Sequence, residues 1–162
     1  MDETISARTL DRQQRKAIAT NYTDRKRSLD ALHVLEFCAT TAAPGRETDW
    51  LARVRAALEA LDDALGEQER NSAVSDSTLS DIEQEEPRLR NRVIQLRRRH
   101  RDLHLRVREL RSQLDESTAS EGIDFADIRR RLERLAAELR YQQAREADLV
   151  YEAYTVDLGA GD

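Results

Sequence analysis

Between positions 93 and 114, a residue that can enter a protein core recurs at alternating steps of three and four positions. This spacing aligns the residues in one row along a helix, because an α-helix completes a turn about every 3.6 residues. The other positions are mostly arginine, glutamate and aspartate, so the segment predicts a long helix with one face in a helical bundle. The row consists of Val93, Leu96, His100, Leu103, Val107, Leu110 and Leu114.

The rest of the chain favours the same fold class. Its 162 residues include only 5 glycines and 2 prolines, and 36% of the residues are charged. Few helix breakers and many charges are typical of long amphipathic helices and not of strands. The length suits one domain with its own core, and short connections favour antiparallel neighbours. We therefore predict an all-α protein that forms an antiparallel, up-and-down four-helix bundle.

Capping and breaking residues divide the chain into four predicted helices. Ser80 and Glu83 also have capping-box spacing, which predicts a short helical turn before the third helix. We expect residues 21–156 to form the bundle, residues 1–20 to be a polar extension or the start of helix 1, and residues 157–162 to be a Gly-rich tail. The expected bounds are Asp11 or Asn21 to Thr40 for helix 1, Thr48 or Asp49 to Arg70 for helix 2, the 93–114 row for helix 3, and Asp124 to Tyr154 for helix 4.

Charge and cysteine content exclude several classes of function. The formal net charge is -5, and the acidic and basic residues are interspersed, so we predict no nucleic-acid partner. Cys38 is the only cysteine, which excludes an intrachain disulfide and a thiolate cluster and fits a reducing compartment. No apolar run approaches the roughly 20 residues of a membrane span. We expect a cytoplasmic protein without a membrane partner, and an unknown protein partner remains open.

Each predicted helix carries polar residues where its inward row should be apolar. Besides the row of helix 3, the predicted inward rows pass through Leu29 in helix 1, through Leu51, Val54, Leu58, Leu61 and Leu65 in helix 2, and through Ile128, Leu132, Leu135, Leu139 and Leu149 in helix 4. Antiparallel packing could bring these interruptions to a similar depth in the bundle, so together they favour one site. If Glu146 lies inside without a metal, we expect either a raised pKa or an arginine or histidine partner, because an isolated buried carboxylate is costly. The interruptions are His33 and Glu36 in helix 1, Gln68 and Ser72 in helix 2, His100 in helix 3, and Gln142 and Glu146 in helix 4.

Some of these residues have the spacing of metal ligands. His100 and His104 are four residues apart on one helix, as in metal pairs bridged by histidine and carboxylate, although His104 lies one row aside. Each residue alone also fits an ordinary role. His33 could be a hydrogen-bonded boundary histidine, Gln68 and Gln142 could fix helix register, and the carboxylates could pair with arginines. The set across four helices favours a site.

This pattern resembles the hemerythrin-like (HHE-type) domain family, over about residues 29–162. The resemblance implies an up-and-down four-helix bundle around a non-haem di-iron pair, held by histidines and bridging carboxylates, for O₂ binding, redox or NO sensing, or iron handling. The similar segments are Leu32-His33, the helix led by Trp50, Glu86 to Leu89, Ala144 to Leu149, and Asp157 to Gly159.

The resemblance places the family's first-helix histidine on His33 and its third-helix His-x-x-x-His on His100 and His104. Its second-helix histidine and glutamate fall on Gln68 and Ser72, which are neither. Its fourth-helix histidine falls on Gln142, and the carboxylate that follows falls on Glu146. With three histidines in all, the chain cannot supply the family's di-iron ligand set.

Two functional classes follow from this incomplete ligand set. In the first, the protein has no cofactor, the glutamines fill the space of lost histidines, and the bundle is a non-catalytic binding or regulatory protein that has lost di-iron and O₂ binding. In the second, His33, His100, His104 and Glu146, with Glu36 as a substitute, hold a single iron or zinc ion for O₂, NO or iron sensing. We favour the first, because two changes to glutamine fit the repair of a core.

Overall fold

The computed structural model describes residues 10–41, 45–116 and 122–155, so the predicted tail at 157–162 lies outside the described residues. The protein is all-α, and four long helices form an antiparallel bundle, as predicted. The predicted helices 1, 2, 3 and 4 are α1, α2, α4 and α5. The bounds are α1 Arg12–Thr40, α2 Glu47–Ala73, α3 Thr78–Glu85, a 3-10 turn Pro87–Leu89, α4 Arg90–Asp115 and α5 Phe125–Thr155.

The four long helices form a closed ring of neighbours. Helix α1 packs against α2 and α5, and α4 packs against the same two helices from the other side. The short helix α3 lies at one end of the bundle, where it contacts all four long helices. The connection from α2 to α4 therefore covers one end of the core.

Helix α1 has its cap at Asp11, the earlier of the two predicted starts, Asp11 and Asn21. The Asp11 side chain accepts a hydrogen bond from the Gln14 amide at 2.7 Å, and the Gln14 side chain accepts one from the Asp11 amide at 3.1 Å. This capping box satisfies amides that have no partner within the helix. Asp124 accepts from the Asp127 amide at 3.0 Å, next to the start of α5, where a cap was predicted.

The cap of the short helix α3 lies three residues before the predicted one. Ser77, and not Ser80, caps it by accepting a hydrogen bond from the Ser80 amide at 3.2 Å. The Ser80 hydroxyl instead donates to the carbonyl of Val74 at 2.8 Å. Several serines in this stretch can cap a helix, and tertiary contacts select among them. Pro87 begins the 3-10 turn, a position that needs no amide hydrogen.

Two apolar clusters fill the bundle, one on each side of a polar layer. The larger cluster includes Leu58, Leu65 and Leu103, and the smaller one lies beside α3 and includes Leu96 and Leu149. The predicted rows of helices 2, 3 and 4 face the core, since each of their apolar members is buried. The layer between the clusters contains the buried side chains Asn21, Ser28, Gln68, His100, Gln142, Gln143 and Glu146.

The predicted inward row of helix 1 was wrong by one position. The row was placed through Leu29, which put His33 inward, but the side chain of His33 is 60% exposed. The row that enters the core instead contains Asn21, Asp24, Ser28, Leu32 and Leu35. Three of these five residues are polar, so hydropathy alone does not reveal the row.

In the part of the chain that the structure describes, no helix combines the length and the apolar character needed to cross a membrane.

Candidate functional site

Three side chains from two helices form the centre of the polar layer. Gln68 on α2 donates to the Oε2 atom of Glu146 on α5 at 2.9 Å. Gln68 and Gln143 form a reciprocal amide pair, with Nε2 to Oε1 distances of 3.3 and 3.0 Å. All three side chains are buried, and Glu146 is only 3% exposed. The hydrogen bonds replace the water that these groups lose on folding.

Helix α1 completes this centre with two polar residues. Asn21 donates from Nδ2 to the Oε1 atom of Glu146 at 2.8 Å, and Ser28 donates to the Oε1 atom of Gln68 at 2.8 Å. Arg25 donates from Nε to the Oδ1 atom of Asn21 at 2.8 Å. The network therefore links three helices, and the amide of Asn21 connects Arg25 to Glu146.

Of the two alternatives expected for Glu146, the arginine or histidine partner was wrong. The two groups that donate to its carboxylate are the side-chain amides of Asn21 and Gln68. Two N–H donors, one on each oxygen, satisfy a buried carboxylate without a second buried charge. The donor from α1 could not be foreseen, because the row of that helix was misplaced.

Two further members of the layer bind backbone carbonyl groups. His100 lies with Nε2 3.1 Å from the carbonyl oxygen of Leu65, so this nitrogen carries the proton and donates. Gln142 donates from Nε2 to the carbonyl oxygen of Leu96 at 2.9 Å. Both side chains are buried, as the row predicts, and each ties a long helix to its neighbour.

A second polar cluster surrounds His104 at the edge of the bundle. Its Nε2 atom lies 2.6 Å from Oδ1 of Asp62, and its Nδ1 atom lies 3.0 Å from Oε2 of Glu69. Carboxylates only accept, so the ring donates to both only when both nitrogens are protonated. Arg111 donates to the Oδ2 atom of Asp62 at 2.9 Å. His104 is thus held between two carboxylates and away from the polar layer.

The surroundings of Asp62 alter its ionisation. Burial by itself raises the pKa of this carboxyl, but hydrogen bonds from His104 and Arg111, together with their positive charges, outweigh burial and hold the pKa below its usual range. Because the pKa of Asp62 is lower in the folded protein than in the unfolded chain, ionised Asp62 stabilises the fold at pH values above the pKa of the unfolded carboxyl. This contribution is lost as the pH falls through the folded-state value, because the unfolded chain takes up the proton first.

We predict that Asp62→Asn lowers the free energy of unfolding at pH 7 by about 1–3 kcal/mol, because it weakens two charge-assisted hydrogen bonds. The difference from the parent protein should shrink below about pH 4, where the unfolded carboxyl becomes protonated. Urea unfolding at both pH values measures this. Asp63→Asn is the matched control, since Asp63 is exposed and should cost less than about 0.5 kcal/mol. A constant difference at both pH values would contradict the assignment.

The remaining predicted site residues lie outside the layer. The Nδ1 atom of His33 is 3.8 Å from Oε2 of Glu36. Glu36 in turn accepts from Arg140 on α5, at 3.1 Å from Nε. Ser72 is half-buried, and its hydroxyl donates to the carbonyl of Glu69 in the same helix. These three residues do not contribute a side chain to the network around Glu146.

The arrangement does not fit the di-iron pair that the resemblance implies. The three histidines do not converge: His33 faces outward, and the ring centroids of His100 and His104 are 6.5 Å apart, with both rings directed to groups of α2. Among the described residues, no group of three or more His, Cys, Asp or Glu side chains is placed to hold a metal ion. The network around Glu146 is built from side-chain amides, the hydroxyl of Ser28 and one carboxylate.

Sequence reasoning missed several residues that build the layer. Asn21, Asp24 and Ser28 belong to the α1 row that was placed one position away. Gln143 follows directly after the predicted Gln142, and both side chains are buried. The sequence signal for this row was a polar residue at every third or fourth position before Leu32. A helix face that is exposed to solvent has the same pattern, so the signal does not distinguish the two.

Two cavities flank Gln68. A cavity of about 130 Å³ lies among α1, α2 and the start of α3, and one of about 80 Å³ lies among α2, α3, α4 and α5. The side chains of Gln68 and Ser72 line both. Both cavities therefore adjoin the polar layer at Gln68, near the end of the bundle that α3 covers.

No protein-family model, curated protein or solved structure matches this chain.

Proposed function

We propose that the protein is a non-catalytic binding or regulatory bundle that works without a metal cofactor. The observation that supports this proposal is the closed network of Gln68, Gln143 and Glu146. In this network, the groups that would face a metal are bound to one another and to Asn21. A buried carboxylate with amide donors on both oxygens needs no cation to satisfy it.

The absence of a catalytic role is part of the same proposal. Cys38, the one thiol of the chain, is buried, and this burial raises its pKa although Arg53 opposes the shift. A thiol with a raised pKa forms little thiolate at neutral pH and is a poor nucleophile. His104 is held by carboxylates on both ring nitrogens, so neither nitrogen is free to accept a proton from a substrate.

In this proposal, the protein derives from a hemerythrin-like bundle that once held a di-iron site. Gln68 and Gln142, which the resemblance places at ligand positions, lie in the buried layer and bind neighbouring helices. A bundle that lost its di-iron site would need such neutral hydrogen-bonding groups in the space of the histidines. The exposed position of His33 weighs against a one-to-one correspondence of ligands.

We predict that chelation leaves the protein unchanged. Protein purified with added iron should contain no stoichiometric iron by elemental analysis, and dialysis against a chelator should not shift the midpoint of thermal unfolding. The physical reason is that the polar groups of the layer are satisfied by one another. Stoichiometric iron or zinc, or a midpoint that falls on chelation and recovers with metal, would overturn the proposal in favour of a metal-binding protein. His33→Ala is the control for adventitious binding to the exposed histidine.

A further inference from the structure

The larger of the two cavities has a buried polar wall and an apolar wall. Asp24 and Asn71 line it beside Gln68, and Ala17, Val74 and Leu79 supply apolar surface. Its volume of about 130 Å³ is close to that of an engineered cavity of about 150 Å³ that binds benzene. The cavity therefore accommodates an organic molecule of roughly that size.

Thr78 carries an unused hydrogen-bonding group at this cavity. Its side chain lines the wall and is only 2% exposed, yet no described residue offers its Oγ1 atom a hydrogen-bond partner. A buried hydroxyl without a partner loses its hydrogen bonds to water on folding, so the protein holds this group at a cost in stability. Such a group is accounted for if a ligand binds it.

Asp24 supplies the charge that selects the ligand. Its buried carboxylate accepts from a single nitrogen, Nδ2 of Asn71, at 3.2 and 3.0 Å from the two oxygens. A carboxylate has about four acceptor positions, so Asp24 retains capacity for further donors. Asp76 also lines the cavity, and one cation, the exposed Lys16, lies at the α1 side. The balance of charge favours a positively charged ligand.

We propose that this cavity binds a small primary ammonium ion that carries a short apolar chain. The ammonium group donates to Asp24 and to the Oγ1 atom of Thr78, and the chain packs against Val74 and Leu79. An ammonium group has three donors, so it can donate both to the spare acceptor positions of Asp24 and to the hydroxyl oxygen of Thr78. This inference rests on the proposed binding function and names the chemical class of ligand.

The test uses three probes of the same shape and different charge: n-butylammonium, n-butanol and butyrate. Titration into the ¹⁵N-labelled full chain, followed by the backbone amides of Asn71, Thr78 and Leu79, reports binding at the cavity. We expect saturable shifts with n-butylammonium and none with the other two. Equal binding of n-butanol, or no saturable shift with n-butylammonium, would overturn the proposal.

Two variants test the named groups. Asp24→Asn keeps an acceptor for Asn71 but removes the charge, so it should weaken n-butylammonium binding at least about tenfold. Asp30→Asn, an exposed change on the same helix, is the matched control and should leave the affinity unchanged. Unchanged affinity in Asp24→Asn would overturn the proposal.

Thr78→Val gives an independent measurement if Asp24→Asn lowers the stability. This change removes the unpartnered hydroxyl and keeps the shape, so it should weaken binding about three- to tenfold while the thermal midpoint stays equal or rises. A fall in the midpoint without a change in affinity would mean that the Thr78 hydroxyl is structural and would overturn its role in binding.

The metal-free function and the ammonium site can be contradicted independently of each other. Stoichiometric iron overturns the metal-free function even if the amine binds, and a metal-free chain that ignores the amine overturns only this inference.

Discussion

Leu103→Ala should lower the free energy of unfolding by about 2–5 kcal/mol. Leu103 is 1% exposed and belongs to the larger apolar cluster, so the truncation leaves a cavity that the surrounding helices fill only in part. Urea unfolding followed by circular dichroism gives the change as a shift of the midpoint at constant slope.

Leu105→Ala is the matched control on the same helix. Leu105 lies two residues further along α4 and is 54% exposed, so its truncation should change the free energy of unfolding by less than about 0.5 kcal/mol. The two leucines differ only in the face of the helix that they occupy. Equal losses from the two truncations would mean that the inward face of α4 is misassigned.

Gln68→Leu should destabilise the protein by about 2–4 kcal/mol, although leucine is more hydrophobic than glutamine. The change removes a donor to Glu146, both hydrogen bonds with Gln143 and the acceptor of Ser28. The remaining polar groups stay buried with fewer partners, and the cost is largest for the carboxylate. Gln95→Leu on an exposed position of α4 should have little effect and serves as the control.

A double-mutant cycle separates this network effect from simple packing. Gln68→Leu combined with Glu146→Leu should lose less stability than the sum of the single changes, with a coupling of about 0.5–3 kcal/mol. The reason is that the second change removes the carboxylate that the first one leaves short of a donor. Strict additivity would show that the two side chains do not depend on each other.

The position of the polar layer suggests why the bundle retains it. The layer separates two apolar clusters. Moving α5 by one turn along α2 toward the larger cluster would place Glu146 beside Leu65 and bury its carboxylate among apolar side chains. Such a shift costs several kcal/mol, because a buried charge would lose its donors. We infer that the layer fixes the alignment of the helices along the bundle axis.

The sequence by itself determined the fold class and three of the four inward faces. The rows of α2, α4 and α5 alternate apolar residues at steps of three and four, and a helix can place such a row only toward a core. For this reason the buried positions of Gln68, His100, Gln142 and Glu146 could be predicted from their apolar neighbours.

Only the tertiary structure decided the register of α1 and the partners within the layer. The α1 row begins with Asn21, Asp24 and Ser28, which are polar, and a polar row enters a core only where other helices supply its hydrogen bonds. Those partners, on α2 and α5, are distant in the sequence. His33 therefore faced outward against expectation, and the cavity beside Asp24 could not be foreseen. Local periodicity reports which side chains avoid water, whereas hydrogen-bond partners depend on how the helices align.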